Sequence, residues 1–298
     1  MLNLAEWVAL APPEAARLPR VAYFHESQLT YPTRREDPRD VHFALTNMTT
    51  ALAADAVWWN SAFHREAFLA ALDELLQAMP DDRPAGVTRS IRGRSDVQPP
   101  PVRGRPPRGP RAPGPLRVLW AARWEHDKGP EAFFDAMRLL AADRVDFRLS
   151  VIGPRFRDVP YAFERGRRDL AGRIDRWGYQ ASAEAYDAAL AEADVFASTA
   201  RHEFFGIAAV EAVAAGAFPL LPEHLAYPEV FAELAEGEPI FYDGSPEHLA
   251  ARLAESAARV ETGGLWRSDP DAGRRAVARY TWAERLGTMD TAVESVAG

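Results

Sequence analysis

From residue 116 onward, short apolar runs alternate with stretches in which apolar residues recur every three or four positions. The short runs are typical of buried strands, and the longer period is typical of amphipathic helices. Gly129-Pro130 and Ser182 mark two of the helix starts. The predicted strands are 116–123, 147–153, 194–199, 217–222 and 239–244, and the predicted helices are 129–142, 182–193, 204–216 and 245–260. Such alternation predicts an α/β fold with a doubly wound parallel sheet.

The first hundred residues show a thinner version of the same pattern. Predicted strands at 20–27 and 55–61 alternate with predicted helices at 40–54 and 62–79. A parallel sheet of so few strands leaves much of its apolar surface uncovered. We therefore expect a second Rossmann-like domain that is incomplete because its first units are missing.

Residues 81–115 are rich in Pro, Gly and Arg and show no apolar period. We interpret their second half, 102–115, as a solvated linker. The alternative is that its arginines contact phosphates. The predicted organisation is an N-terminal domain at 1–101, the linker at 102–115, and a C-terminal domain with a C-terminal helix at 116–298.

Composition narrows the possible classes of protein. The 298 residues include no cysteine, which excludes disulfides, thiolate metal sites and a cysteine nucleophile. The first residues do not read as a leader, and no stretch is apolar over a bilayer's thickness, so we expect a cytoplasmic protein without a membrane partner. The net charge of −8 argues against nucleic-acid binding through overall charge.

The chain has 35 basic residues, of which Lys128 is the only lysine. Lys128 and Arg123 flank the point where a predicted strand ends and a helix begins. Two cations beside a helix N-terminus suit a phosphate or diphosphate. The alternative is a surface lysine that pairs with its neighbour Asp127. The upstream glycines of a phosphate-binding P-loop are missing.

A second cluster of candidate residues follows the predicted strand 194–199. Glu203 lies in the loop, Gly206 in the first turn of the next helix, and Glu211 eight residues after Glu203. A glycine at that place lets a ligand approach the helix N-terminus closely. A lone glutamate there is otherwise a capping group.

Two further features are weaker. His25 and Glu26 end a strand of the N-terminal domain, and a histidine on a loop can donate a hydrogen bond or act as a base, or be merely structural. Arginines also cluster locally in the sequence. They form either a basic surface that binds RNA or a solvated helix face whose arginines pair with Glu164 and Asp169. These arginines are Arg155, Arg157, Arg165, Arg167, Arg168, Arg173 and Arg176, together with Arg89, Arg92 and Arg94 before the linker.

The motif "RWEHDKG", followed by Glu203 and Glu211, resembles the family 4 retaining glycosyltransferases, whose GT-B fold has two Rossmann-like domains. Longer stretches are similar to the members of that family that mannosylate queuosine in tRNA. They are "YFHESQLTYP", "ALAADAVWWNSAFHREAFL", "WGYQASAEAYDAALAEADVFASTARHEFFGIAAVEAVAAG" and "FPLLPEHLAYPEVF". The N-terminal strand and Gly-rich loop of the family are absent from this chain.

The resemblance implies GDP-mannose as the donor and a retaining transfer of its mannose. It implies that Arg123 and Lys128 hold the diphosphate, that Glu203 contacts mannose, and that Glu211 contacts the ribose. No metal or other cofactor is expected, since the cations and the helix dipole neutralise the leaving group. The backbone amides expected to cap the phosphates are those of Phe205, Gly206 and Ile207.

The acceptor implied by the resemblance is the cyclopentenediol of queuosine in the tRNA anticodon loop. His25 and Glu203 are the implied catalytic residues. The residues expected to bind the acceptor are Glu26, Gln28, Tyr31 and Asn60.

Two alternatives stay open at this point. One is a GT-B glycosyltransferase that acts on a lipid or glycan acceptor, and the other is an inactive, truncated protein that only binds nucleotide or RNA. A glycosidase that uses the two glutamates is disfavoured, because phosphate-binding cations have no role in hydrolysis by water.

Overall fold

The structure is a computed structural model that describes residues 3–30, 38–81, 83–262, 264–267 and 269–298. The contacts within the chain define two compact units. Unit 1 holds residues 1–101 and 284–298, and unit 2 holds residues 102–283. The C-terminal helix, predicted as part of the second domain, thus contributes residues 284–298 to unit 1.

Unit 1 is built on a small parallel sheet. Its strands are β1 (Val21–Phe24), β2 (Ala56–Trp59) and β3 (Ser95–Val97), and its helices are α1 (Leu4–Leu10), α2 (Pro13–Ala16), α3 (Pro38–Ala53), α4 (Ala62–Ala78) and α5 (Val87–Arg92). In the described residues the strand order is β1-β2-β3, and Phe24 pairs with Trp59 at the carboxyl ends of β1 and β2. The residues that follow these two strands therefore lie side by side.

The sequence pattern did not predict α1, α5 or β3. Leu4 and Ile91 are buried all the same, and Asn3 caps α1 through a bond from the amide of Glu6. Elements of three to seven residues are too short to show a period, and the Pro- and Arg-rich composition around α5 and β3 concealed them.

Unit 2 contains a six-stranded sheet. Its strands are β4 (Leu116–Ala121), β5 (Phe147–Ile152), β6 (Ile174–Gly178), β7 (Val195–Ala197), β8 (Phe218–Pro222) and β9 (Phe241–Tyr242). Its helices are α6 (Pro130–Ala142), α7 (Tyr161–Asp169), α8 (Ala183–Glu192), α9 (Ile207–Ala214), α10 (Tyr227–Val230), α11 (Ala232–Ala235), α12 (Pro246–Glu261), α13 (Ala272–Val277) and α14 (Trp282–Ala297), whose last residues belong to unit 1. Three short 3₁₀ turns lie at His126–Lys128, Ala171–Arg173 and Ala278–Tyr280.

The order of this sheet is β6-β5-β4-β7-β8-β9, and every pair of neighbours is parallel. The doubly wound α/β prediction is therefore confirmed. Successive strands are added outward from β4 on one side and from β7 on the other. The connections after β4 and β7 consequently diverge and open a crevice at the carboxyl ends of these strands, where ligands bind in such folds.

An aromatic cluster fixes the loop that leaves β4. Trp124 is buried, its ring stacks on Phe163 with centroids 4.2 Å apart, and Trp177 meets it edge-on at 5.1 Å. The amide of Trp124 also donates to the carbonyl of Pro154 at 3.0 Å. Stacked and edge-on contacts of this kind stabilise the fold beyond the burial of apolar surface. They therefore fix the conformation of the loop that carries Arg123.

The Pro/Arg-rich segment 102–115 packs on unit 2 rather than running free, which corrects its interpretation as a solvated linker. Arg108 and Arg111 both donate to Asp194, whose side chain is 1% exposed and also accepts the amide of Arg117. Arg103 and Arg105 both pair with Asp187. Composition alone could not show that these arginines have carboxylate partners, of which Asp194 is buried and Asp187 is partly exposed.

Replacement of Asp194 with asparagine should loosen this segment. The substitution leaves two partly buried guanidinium groups without their anion, so we expect the free energy of unfolding to fall by about 2 kcal/mol. Urea denaturation and tryptic cleavage at Arg108 and Arg111 measure the change. Asp175→Asn is the control, because its pair with Arg148 is exposed and such pairs contribute about 1 kcal/mol or less. Equal losses in the two variants would contradict the anchoring role of Asp194.

Candidate functional site

The crevice between β4 and β7 brings Lys128 and Glu203 together. These strands are hydrogen-bonded neighbours, with Val118 opposite Val195 and Leu119 opposite Phe196. Lys128 ends the 3₁₀ turn after β4, and Glu203 lies in the loop after β7. Their side-chain atoms Nζ and Oε2 are 3.3 Å apart. Parallel topology thus unites residues that are far apart in sequence.

Gly129 makes this approach possible. It adopts the left-handed conformation with φ 62° and ψ 43°, which ends the 3₁₀ turn and starts α6. A Cβ atom at this position would lie 2.1 Å from the carbonyl oxygen of Thr199. Only glycine fits such a contact, so the backbone after β4 can touch the backbone after β7.

The Lys128 ammonium group has three acceptors around it. Nζ lies 2.8 Å from the carbonyl oxygen of His202, 3.2 Å from Oδ2 of Asp127 and 3.3 Å from Oε2 of Glu203. Burial alone would lower the pKa of Lys128, but the carboxylates of Glu203 and Asp127 outweigh it, so the pKa is raised. Lys128 is therefore a fixed cation, 8% exposed, at the floor of the crevice.

Glu203 binds the N-terminus of α9 as well as Lys128. Its Oε1 accepts the amides of Phe204, Phe205 and Gly206 at 3.2, 3.4 and 3.1 Å. Gly206 has φ 90°, and a Cβ there would lie 2.8 Å from Cε1 of Tyr227. The amides of Phe205 and Gly206, expected to cap phosphates, thus donate to a carboxylate in this structure. Ile207, the third predicted position, is the first residue of α9.

The space beside this carboxylate is small. A cavity of about 20 Å³ is lined by Lys128, Glu203, Gly206 and Tyr227, among others. That volume holds roughly one water molecule. An anion larger than water can reach the amides of α9 only if the side chain of Glu203 moves.

Arg123 is also close to the carboxylate of Asp127, and its side chain is more exposed than that of Lys128. Its Nε is 3.3 Å from Oε2 of Glu125, and its Nη2 is 4.0 Å from Oδ2 of Asp127. Its side chain is 33% exposed, whereas Asp127 is fully buried. The buried carboxylate of Asp127 therefore has Lys128 on one side and Arg123 on the other, so both predicted cations belong to one charged cluster.

Glu211 lies on α9, one turn beyond the cluster, and is held by a residue that the sequence analysis missed. The hydroxyl of Tyr186 on α8 donates to its Oε2 at 2.8 Å. Burial and the charge of Glu211 raise the pKa of Tyr186. The phenol thus remains protonated, and it can only donate to the carboxylate.

His202 is a second residue that sequence reasoning did not select. Burial and the neighbouring Lys128 lower its pKa to about 4, so the imidazole is neutral at pH 7. Its carbonyl oxygen is the nearest acceptor of the Lys128 ammonium. A signal was present, because His202 directly precedes Glu203 in the loop after β7, but one sequence does not separate it from a solvent-exposed histidine.

In unit 1, two of the predicted residues meet at the carboxyl ends of β1 and β2. The buried side chain of Asn60 donates through Nδ2 to the carbonyl of His25 at 3.0 Å, while the His25 ring is exposed and lies 4.2 Å from the Tyr23 ring. Glu26 is exposed and Gln28 is half-buried. Tyr31, the remaining predicted acceptor residue, lies outside the described residues.

Gln98 is a further polar residue at this edge of unit 1. It follows β3, and its backbone amide donates to the backbone carbonyl of Trp59 at 2.8 Å. Its own carbonyl accepts the hydroxyl of Tyr23. The sequence analysis missed it because β3 was not predicted.

No group of three or more His, Asp or Glu residues that could hold a metal ion occurs in the part of the chain that the structure describes. Across the same residues, no helix is long and apolar enough to cross a bilayer.

Solved structures with the same architecture define the class of fold. Sucrose-phosphate synthase from Thermosynechococcus elongatus superposes with a TM-score of 0.65 at 19% identity, over 93% of this chain and 67% of that one. The Anabaena protein HepE, solved in complex with UDP, gives 0.68 at 15% identity, over 98% and 76%. These are glycosyltransferases of the GT-B fold, and the chain has that fold.

The family follows from the sequence comparisons. Residues 106–258 match the model of the group 1 glycosyl transferases, which covers more than half of the chain, and the chain belongs to that family. Residues 1–102 match the model of the N-terminal part of tRNA-queuosine alpha-mannosyltransferase.

Two curated relatives are mannosyltransferases. The tRNA-queuosine alpha-mannosyltransferase of Drosophila melanogaster is 33% identical over 242 residues, which is 78% of this chain and 64% of that protein. A GDP-mannose:cellobiosyl-diphosphopolyprenol alpha-mannosyltransferase of Xanthomonas campestris is 30% identical over 189 residues, or 60% of this chain and 46% of that protein. The chain thus spans less than two thirds of the length of either relative.

Removal of the ammonium group should destabilise unit 2. In Lys128→Ala the fully buried Asp127 loses its closest cation, and we expect the free energy of unfolding to fall by about 3 kcal/mol. Urea denaturation followed by tryptophan fluorescence measures this loss. The double variant Asp127→Asn, Lys128→Ala should recover part of it, because no unpaired buried charge remains. A double variant less stable than Lys128→Ala would show that the loss has another cause.

Proposed function

We propose that this chain transfers mannose from GDP-mannose to the cyclopentenediol of queuosine in tRNA, with retention at the anomeric carbon. The observation that carries the proposal is the match of residues 1–102 to the N-terminal model of tRNA-queuosine alpha-mannosyltransferase. The buried Lys128–Glu203 pair in the crevice of unit 2 supports a nucleotide-sugar donor. A tRNA acceptor places the activity in the cytoplasm.

On the donor side, Lys128 and Arg123 are the groups proposed to hold the diphosphate. Lys128 is desolvated and held in place by three acceptors, so it needs no reorganisation when negative charge develops on the leaving group. A diphosphate oxygen takes the place of Glu203 next to Nζ and next to the amides of α9. The charge-assisted bonds of the diphosphate replace the bonds that the Glu203 carboxylate makes in this structure.

The displaced Glu203 is the group proposed to contact the mannose hydroxyls. Glu211 is proposed to accept from the ribose. In the reaction, the bond between the anomeric carbon and the diphosphate oxygen breaks, and GDP leaves with the electron pair. A bond forms between the same carbon and an oxygen of the cyclopentenediol, whose proton is lost. His25 is the proposed proton acceptor in unit 1.

The acceptor proposal draws on a smaller arginine surface than the sequence suggested. Several arginines of the predicted cluster already have structural partners: Arg173 lies over Phe147, Arg176 pairs with Glu192, and Arg92 pairs with Glu66. Arg165 and Arg168 both pair with Asp169, as the helix-face alternative expects.

Some of the predicted arginines remain for RNA, and two of them lie in the loop after β5 and on α7. Arg157 and Arg167 are exposed and make no ion pair with any residue that the structure describes. The exposed side chains of Phe156 and Tyr161 lie in the same stretch. Arginine with exposed aromatic rings is the chemistry that recognises the phosphates and unstacked bases of an RNA loop.

A lipid-linked acceptor is the second candidate, favoured by the similarity to the Xanthomonas campestris protein. The names of both relatives state transfer of mannose, and this one includes GDP-mannose as the donor. The two candidates therefore share a donor and differ in the acceptor. The match of residues 1–102 favours tRNA.

Transfer of radiolabel from GDP-mannose to tRNA tests the proposal. We expect label on queuosine-containing tRNA and none on tRNA that lacks queuosine. Lys128→Arg keeps the charge but replaces a compact ammonium with a planar fork, and transfer should fall roughly tenfold or more. Arg148→Lys is the matched control, since Arg148 is on β5 and pairs with Asp175, and it should leave transfer unchanged.

Other outcomes separate the candidates. Label on a diphosphopolyprenol-linked glycan but on neither tRNA would favour the lipid acceptor. Absence of transfer, with GDP still bound, would indicate a protein that only binds nucleotide. Absence of GDP binding would exclude the proposed donor.

A further inference from the structure

We infer that Tyr186 is a positioning residue that orients Glu211 toward the ribose of the donor and thereby sets the selectivity for a nucleotide with intact ribose hydroxyls. The inference rests on the proposed nucleotide-sugar donor and deepens it. It concerns a residue on α8 to which the sequence analysis assigned no role, although the residue lies within one of the stretches that resemble the family.

The geometry gives the two carboxylate oxygens of Glu211 different roles. Oε2 accepts the hydroxyl of Tyr186 at 2.8 Å. Glu211 is half-buried, and no described residue donates to its Oε1. One oxygen is thus occupied by the protein, and the other remains for a hydroxyl donor on a ligand. A side chain held in this way loses little rotamer freedom when the ligand binds.

The polarity of this bond is fixed. Burial and the charge of Glu211 both raise the pKa of Tyr186. The phenol is therefore a permanent donor, and the Glu211 carboxylate is its acceptor. An ionised carboxylate forms a stronger bond to a ribose hydroxyl than a neutral group does.

The position of Tyr186 is fixed in turn by the Pro/Arg-rich segment. The next residue on α8, Asp187, pairs with Arg105 at 2.8 Å and with Arg103 at 3.2 Å. The side chain of Arg105 is only 9% exposed. Ser182 caps the start of α8 through a bond from the amide of Ala185. These contacts fix the part of α8 that carries Tyr186.

The test compares the affinities for GDP and 2′,3′-dideoxy-GDP, measured by isothermal titration calorimetry. The wild-type protein should prefer GDP by about tenfold or more, the effect of a hydrogen bond to a charged group. Tyr186→Phe removes only the hydroxyl, and the preference should fall to about threefold or less through weaker GDP binding. The affinity for the dideoxy nucleotide should stay unchanged.

Tyr280→Phe is the matched control. It also removes one buried phenol bond, from the Tyr280 hydroxyl to the carbonyl of Val230 at 3.1 Å, and leaves Glu211 untouched. It should keep the wild-type preference. A merely structural role of Tyr186 would weaken both nucleotides equally, and that result would overturn the inference.

The remaining outcomes are also decisive. A wild-type protein that binds both nucleotides equally would overturn the role of Glu211 and Tyr186 while the proposed donor stands. An unchanged preference in Tyr186→Phe would overturn the positioning role alone. Binding of neither nucleotide by the wild-type protein would overturn the proposed donor and this inference with it.

Discussion

The ammonium group of Lys128 is the interaction on which the site of unit 2 depends. It lies between the buried carboxylate of Asp127, the side chain of Glu203 and the carbonyl of His202. The ammonium joins two loops from different parts of the chain, which are also linked by the bond from the Thr199 hydroxyl to the carbonyl of Lys128. Two of its partners are carboxylates, so the ammonium binds anionic groups of the protein itself. We propose that a diphosphate exchanges with one of these carboxylates. An arginine fork does not fit three close acceptors around one nitrogen, which gives a physical reason for a lone lysine in an arginine-rich chain.

Glu203 gives the site its second constraint. Its two oxygens join the cation to the amides at the N-terminus of α9, so the carboxylate lies where the helix favours an anion. The cavity beside it has a volume of about 20 Å³, and the amides are already occupied by the carboxylate. We therefore propose that binding of the donor diphosphate moves the side chain of Glu203. Glu211, by contrast, accepts from a side chain, the hydroxyl of Tyr186, so the two glutamates of the motif have different partners.

The sequence predicted most of the second unit, because its strands and helices are long enough to show their periods and because parallel topology follows from their alternation. It also selected Arg123, Lys128, Glu203 and Gly206, since residues at strand ends and helix starts converge in a doubly wound sheet. It left open whether Glu203 caps α9 or contacts a ligand, because a local capping bond and a ligand site use the same donors, and in the structure Glu203 occupies the amides of Phe205 and Gly206.

The other omissions have a common cause. Tyr186 and Asp194 act through partners that are 25 and 77 or more residues distant, respectively, and no local pattern encodes such pairs. The elements α1, α5 and β3 are short, so they lack a period. Arg108 and Arg111 looked like linker residues because their buried partner is visible only in three dimensions.

Calorimetric titration with GDP and with GMP tests most directly whether the crevice is built for a diphosphate. The two ligands share the base, the ribose and the first phosphate, so their difference reports the second phosphate alone. We expect GDP to bind about tenfold or more tightly than GMP, because its second phosphate reaches Lys128 and displaces Glu203. Equal affinities for GDP and GMP would contradict the assignment of the Lys128–Glu203 pair as the diphosphate site.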